Sequence, residues 1–233
     1  MTAKSIEVYA NEYKKRLKTK DFMFPAENLV RHIKSSGLDK VAQNNNQALD
    51  FGCGEGRHTI YLSQCGYKLY SVDVDESAID ATQTNALLND VIGQVTLKLI
   101  ANSSELHHLE NKFNLILAWE VLHWLGNKIT WTETLKVFHK ILSSEGRLIL
   151  TMPTENHFLL GTAKRLGKDE YRASEKSREG CLFYAPNLEL LKQSFKTGGF
   201  KIIKHSFYAH GNTEQDWSIS NPFSMNVFTL GKD

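Results

Sequence analysis

Residues 48–56 read Ala-Leu-Asp-Phe-Gly-Cys-Gly-Glu-Gly, an apolar run that reaches an acid and then gives way to three glycines at alternate positions. A second run of strand length, 68–73, closes on Val72-Asp73. Gly52, Gly54 and Gly56 let the backbone leave the strand in conformations that other residues resist, and they put no side chain between main chain and ligand. Strand, glycine loop, helix and a second strand ending in an acid predict a βαβ unit that receives a small molecule at the carboxyl edge of a sheet.

The ligand can be narrowed by what is missing. A dinucleotide fingerprint needs its third glycine at position 57, where helix and strand pack closely, and Arg57 stands there. A Walker loop needs a Gly-Lys-Ser or Gly-Lys-Thr step, which does not follow these glycines. What fits is a ligand without phosphates, its ribose hydroxyls matched to the Asp73 carboxylate as a bidentate acceptor. S-adenosylmethionine has that shape.

The stretch from Leu49 to Ala78, Leu-Asp-Phe-Gly-Cys-Gly-Glu-Gly-Arg-His through Ser-Val-Asp-Val-Asp-Glu-Ser-Ala, resembles the cofactor-binding region of class I S-adenosylmethionine-dependent methyltransferases. The likeness continues through Phe113–His123 and Leu142–Leu150 and covers roughly residues 45–152. Gly-Cys-Gly-Glu-Gly-Arg-His with Tyr61-Leu62 and Cys65-Gly66-Tyr67 is similar to the tellurite-resistance and thiol-methylating group, with a broader likeness to ubiquinone-biosynthesis-type enzymes. The resemblance implies a Rossmann-like, doubly wound α/β fold: a mostly parallel seven-stranded sheet, helices on both faces, the last strand antiparallel. It implies S-adenosyl-L-methionine as cofactor and S-adenosyl-L-homocysteine as product. By the same resemblance Asp50, Gly52 and Gly54 surround the methionyl part, with Cys53 as a small spacer and Gly56 completing the loop. Asp73 holds the ribose and Val74 packs on the adenine. Asn102-Ser103 fall where the family often carries an acid for the adenine amino group, and the Asn102 carbonyl is left to accept that hydrogen bond. Tyr9 and Tyr13 belong to an N-terminal cover over the cofactor.

With 233 residues, 41% hydrophobic and 23% charged, the chain suits a single α/β domain. Its expected parts are an N-terminal helical cover at 1–40, a cofactor-binding core at 45–152, a polar cap insertion at 153–185, and a C-terminal helix with a strand pair at 186–233. Three cysteines at irregular spacings, Cys53, Cys65 and Cys181, predict free thiols in a cytoplasmic protein. No run approaches the roughly 20 apolar residues that span a bilayer, and the N-terminus has no signal-peptide core. A net charge of +2 gives no argument for nucleic acid, and the cluster Lys14, Lys15, Arg16, Lys18 and Lys20 suits a solvated helix face.

Strands are expected near 47–51, 68–73, 94–100, 113–119, 147–152, 201–208 and 225–230. Thr130 and Glu133 form a capping-box pattern, so a helix is expected to begin at Thr130, and Pro186-Asn187 opens another. The turn Trp119-Glu120-Val121-Leu122-His123-Trp124 after the fourth strand is where the acceptor should approach, with Trp119 beside the cofactor. His123, with an ordinary pKa of ~6.5, is the candidate base, and Glu120 is a candidate for a substrate hydrogen bond or for capping a short helix. The same turn lacks the Asn/Asp-Pro-Pro-aromatic step of amino-methylating nucleic-acid enzymes, and no cysteine follows a proline as cytosine-ring chemistry requires. Only Glu120 supplies an acid there, so no metal is expected. The expected partner is a small-molecule methyl acceptor; RNA or protein acceptors, and a cofactor-binding sensor or scaffold without turnover, are the alternatives.

Overall fold

The structure, a computed structural model, describes residues 4, 6–8, 10–11, 24–41, 46–175, 178–210 and 223–233. Tyr9, Tyr13, the lysine-rich cluster at 14–20 and Trp217 lie outside the described residues.

The main sheet is built from β1 (Gln47–Phe51), β2 (Lys68–Asp73), β3 (Val95–Leu99), β4 (Phe113–Ala118), β5 (Leu142–Pro153), β9 (Phe200–His210) and β10 (Phe223–Lys232). Its order is β3-β2-β1-β4-β5-β10-β9. The strands from β3 to β5 pair in parallel, and β10 runs antiparallel to both of its neighbours. This is the Rossmann-like arrangement expected from the sequence. The helices are α1 (Glu27–Ser35), α2 (Leu38–Val41), α3 (Arg57–Gln64), α4 (Glu76–Leu88), α5 (Lys128–Ile141), α6 (Phe158–Thr162) and α7 (Leu188–Thr197).

Burial on both sheet faces explains why the inner strands read as continuous apolar runs. Successive side chains point to opposite faces, so Leu49, Phe51, Ile116 and Ala118 join Phe138, Phe195 and Phe228 in one core cluster. Ala48, Leu115 and Leu117 join Leu29, Ile33 and Val227 in the other. Leu29 and Ile33 of α1 are fully buried, each worth about 1.5–3 kcal/mol against exposure; they fix this helix against the sheet.

Two of the boundaries that differ from expectation have a visible physical cause. Helix α5 begins at Lys128, because Asn127 is the N-cap and its Oδ1 accepts from the Thr130 backbone N–H at 2.9 Å. Thr130 therefore lies in the first turn, and the Thr130/Glu133 pattern is not the cap. Strand β5 begins at Leu142, five residues before the expected start, through an irregular pairing with β4 between Phe113 and Leu115.

The segment expected as a polar cap carries α6 and a small antiparallel sheet, β6 (Lys164–Arg165), β7 (Glu170–Arg172) and β8 (Leu182–Tyr184). It has a core of its own, where Leu159, Ala173, Cys181 and Phe183 pack with Trp124. Trp124 comes from the turn after β4, so this core pins the cap over the carboxyl edge of the main sheet.

Candidate active site

The carboxyl ends of β1, β2, β4 and β5 lie at one edge, and the residues just past them line two adjoining hollows of about 280 and 40 Å³. Gly52, Asp73 and Val121 belong to both. The glycine loop adopts positive φ at Gly52 (78°), Gly54 (57°) and Gly56 (86°). A Cβ at Gly52 would come within 2.4 Å of Val121 Cγ2, so the close approach as well as the dihedral requires glycine.

Asp73 ties the loop down. Its Oδ2 accepts from the Gly54 N–H at 3.0 Å, and its Oδ1 accepts from Val74 N at 2.7 Å and Asp75 N at 3.1 Å. Burial pushes its carboxyl above the ordinary carboxylate range while those three N–H groups pull it down. The smaller hollow brings Val74 together with Ile100, Asn102, Ser103 and Leu125, an apolar slot with a polar mouth whose chemistry suits one edge of a purine; at about 40 Å³ it takes only part of the ring system. The Asn102 carbonyl, however, is taken: it accepts from the backbone N–H and hydroxyl of Ser104 and caps a short 3-10 turn. The Ser103 hydroxyl pairs with Thr134 Oγ1 at 3.1 Å.

Asp50 is placed behind the loop. Its Oδ2 accepts from Thr59 Oγ1 at 2.7 Å, it lines neither hollow, and burial raises its pKa to about 6. It braces the start of α3 against β1, a different position from the methionyl contact expected of it. Cys53 lines the larger hollow, but burial holds its thiol well above the ordinary range, which suits a spacer and not a nucleophile.

After β4, Trp119 stacks on Tyr208 with ring centroids 5.9 Å apart and planes 3° from parallel. Glu120 takes a φ of 58°, its N–H donating to Thr151 Oγ1 at 2.7 Å. Its Oε1 accepts from Tyr208 Oη (2.7 Å) and Trp119 Nε1 (3.2 Å), and its Oε2 from Arg57 Nη2 (3.3 Å). The carboxylate thus joins β4, β9 and the glycine-loop helix into one wall. Capping of the following 3-10 turn falls to Val121, with no side-chain bond, so Glu120 is not its cap.

His123 is 4% exposed, lines the larger hollow, and has an Nδ1 with no hydrogen-bond partner among the described residues. Burial, then the neighbouring His157 and Arg178, hold its pKa well below the ordinary value, so the ring is neutral at pH 7. His157 and His58 line the same hollow, and burial depresses both, His157 to about 4. Among the described residues no group of three or more His, Cys, Asp or Glu could hold a metal, and no helix is long and apolar enough to cross a membrane.

A loop stripped of side chains, a carboxylate where the two hollows meet and an apolar slot beyond it fit an adenosyl cofactor. Residues 18–205 match the family described as "Methyltransferase domain". The chain belongs to this methyltransferase family. It carries a class I S-adenosylmethionine-dependent methyltransferase domain. The ribosomal protein L11 methyltransferase of Campylobacter concisus is 37% identical over 96 residues, which cover 40% of this chain and 32% of that one. The corresponding protein of Shewanella frigidimarina is 41% identical over 63 residues, 27% of this chain and 22% of that one. The chain thus spans about a third or less of the length of these curated relatives.

Two solved methyltransferases share the fold over nearly the whole chain. One is the 1,6-didemethyltoxoflavin-N1-methyltransferase of Burkholderia thailandensis, solved with 1,6-didemethyltoxoflavin and S-adenosylhomocysteine. It has a TM-score of 0.64 and 16% identity, with 97% of this chain and 88% of that chain covered. The other is a TehB-like methyltransferase of Corynebacterium glutamicum, with a TM-score of 0.59, 15% identity and 98% of both chains covered.

Within this methyltransferase the structure brings Gly52, Cys53, Gly54, Asp73, Trp119, Glu120 and His123 together around one hollow, and Val74, Asn102 and Ser103 around the other. Gly56 lines neither: it is the N-cap position of α3, packed against Thr82. His58, Arg57 and His157 are site residues that the sequence reading did not single out. For His157 a signal existed, since it follows Pro153, the last residue of a parallel strand, by four positions at the ligand-binding edge.

Proposed function

We propose that this methyltransferase acts on an oxygen, nitrogen or sulfur atom of a small-molecule acceptor. The support for this reading is the larger hollow, about 280 Å³, where Phe158 and Leu159 of the cap, Trp124 and Phe223 stand with the glycine loop; shared between the cofactor's methionyl end and the acceptor, it is a space of small-molecule scale. When bound, S-adenosylmethionine supplies an electrophilic methyl group, so the protein has to hold the acceptor in line and receive its proton.

Asp73 and the loop hold the cofactor's ribose and methionyl parts, and the Val74 slot holds the adenine. The Glu120 carboxylate keeps Trp119, Tyr208 and Arg57 in one arrangement, so its role is to position the acceptor wall. His123 stays unprotonated at neutral pH, and its buried, unpartnered Nδ1 is the atom proposed to take the proton of a hydroxyl or thiol acceptor. An acceptor that is already a nucleophile would need no such step.

A second reading, a protein acceptor, is favoured by the identity to ribosomal protein L11 methyltransferases, which is confined to 40% of the chain or less. Methyl-labelled S-adenosylmethionine offered with a panel of phenols, thiols, amines, ribosomal proteins and RNA separates the two. Label in a small molecule supports the proposal. Label only in protein or RNA overturns it.

A further inference from the structure

Arg57 opens α3 directly after the glycine loop and lines the larger hollow with a side chain that is 25% exposed. Its guanidinium, and not only its stem, stands at the wall: Nη2 donates to Glu120 Oε2 at 3.3 Å, and Glu120 lines the same hollow. At 3.3 Å this contact is longer than the roughly 2.7–2.9 Å of a strong charge-assisted bond. It also engages one N–H of a group that carries several. Nε and Nη1 have no hydrogen-bond partner among the described residues, and neither atom is sealed from solvent. Glu120 does not depend on Arg57 alone, because Tyr208 Oη and Trp119 Nε1 hold its other oxygen.

The charges around the hollow say what those open N–H groups can meet. Asp73 and Asp75 line it at the end of β2 and repel a second acid there. The rings of His58, His123 and His157 are neutral at pH 7, since burial lowers all three. Positive charge therefore comes from Arg57 and, on the cap, from Arg178. Arg57 presents its share beside Trp119, Glu120 and Tyr208, the wall at which the acceptor is placed. A planar guanidinium with accessible N–H groups matches the two oxygens of a carboxylate, which a neutral group matches poorly.

We infer that the methyl acceptor is an organic acid, and that Arg57 positions it by donating hydrogen bonds to its carboxylate. The carboxylate is the handle; the atom that receives the methyl group is a separate hydroxyl, thiol or amine of the same molecule. This rests on the small-molecule reading and narrows it. No covalent role falls to Arg57.

The probes are acids paired with their neutral amides: 4-hydroxybenzoate with 4-hydroxybenzamide, 4-aminobenzoate with 4-aminobenzamide, and 3-mercaptopropionate with 3-mercaptopropionamide. Each pair offers the same hydroxyl, amine or thiol and differs in its charge. They are titrated by calorimetry at pH 7 into protein saturated with S-adenosylhomocysteine. The wild type should bind at least one of the acids about tenfold or more tightly than its amide. Arg57→Gln keeps an N–H for Glu120 and loses the charge and the fork, so it should bring that preference under about threefold. Arg57→Lys keeps the charge and loses the fork, and should fall between the two. The cofactor brings a carboxylate of its own, so S-adenosylhomocysteine is also compared with S-adenosyl-3-thiopropylamine, the same molecule without that group. Arg57→Gln should bind S-adenosylhomocysteine within about threefold of the wild type.

No binding by any acid, amides that bind as tightly as the acids, a preference that survives Arg57→Gln, or a loss shared equally by acid and amide overturns the inference. So does a loss of about tenfold or more in S-adenosylhomocysteine affinity in Arg57→Gln with the thiopropylamine unaffected, which gives the guanidinium to the cofactor's carboxylate. If neutral hydroxyl, thiol or amine compounds are then still methylated, the small-molecule reading stands. If methyl groups reach only protein or RNA, both fall.

Discussion

Gly52→Ala tests whether the loop is glycine because the backbone and the packing both demand it. At a φ of 78° a Cβ costs about 1–2 kcal/mol in the left-handed region. The added carbon also meets Val121 Cγ2 at 2.4 Å, Cβ at 2.9 Å and Cγ1 at 3.3 Å, and relieving such an overlap costs about 1–3 kcal/mol. The sum, about 2–5 kcal/mol, should lower the melting temperature by roughly 5–15 °C in a chain of this size. Val121 lines both hollows, so its displacement should also weaken S-adenosylhomocysteine binding at least tenfold. The double variant Gly52→Ala/Val121→Ala removes the overlap but not the dihedral cost. It should recover roughly half of the lost stability and show a favourable coupling of about 1–3 kcal/mol in a urea-unfolding cycle. A single variant within 1 kcal/mol of the wild type, or a cycle with no coupling, would refute the packing account.

Asp73→Asn leaves one acceptor oxygen where three N–H groups converge and turns an amide toward Gly54 or toward Val74 and Asp75. It should cost about 1–3 kcal/mol of stability and ten- to a hundredfold in S-adenosylhomocysteine affinity, and equal affinity by calorimetry would remove Asp73 from the ribose contact. His123→Ala should lower turnover of a hydroxyl or thiol acceptor by about two orders of magnitude with cofactor affinity retained; unchanged turnover with a lower melting temperature would make the ring a packing element only. Stability should fall as the pH drops from about 6.5 to 4.5. His32 and His157 are lowered by burial to about 4, so in that window the unfolded chain binds the extra protons and each ring loses up to about 3 kcal/mol. Asp50, raised to about 6, takes a proton in the folded state and opposes this by a similar amount, but His58 and His123 shift with the other two rings. A melting temperature that rises through the same window would contradict the burial of these histidines.

The parallel core was legible because burial on both sheet faces writes itself as uninterrupted apolar runs, and the glycine loop because its backbone excludes other residues. What was hidden follows from local competition. Thr130 and Glu133 match a capping box in sequence, yet the cap is Asn127, whose side-chain carbonyl accepts from the Thr130 N–H. The sequence points Asp50 to the methionyl part, by resemblance, and Glu120 to a substrate hydrogen bond or a helix cap, yet Thr59 binds the first, while Tyr208, Trp119 and Arg57 bind the second. Three of these four partners lie nine to 88 residues away, beyond any local pattern. The cap reads as polar in sequence because Cys181 and Phe183, which hold its small sheet together, come only after the charge-rich run from Lys164 to Glu179. Tyr13 falls outside the described residues, so its cover role rests on the resemblance alone.

We propose that the glycine loop, Asp73 and the Val74 slot together form the site for an adenosyl cofactor without phosphates. Calorimetric titration of the folded protein with S-adenosylhomocysteine, with NAD as a control that shares the adenosine, tests it directly. Saturable binding of S-adenosylhomocysteine with no saturable heat from NAD is the expected result. No binding of S-adenosylhomocysteine, or equal binding of both, would contradict it.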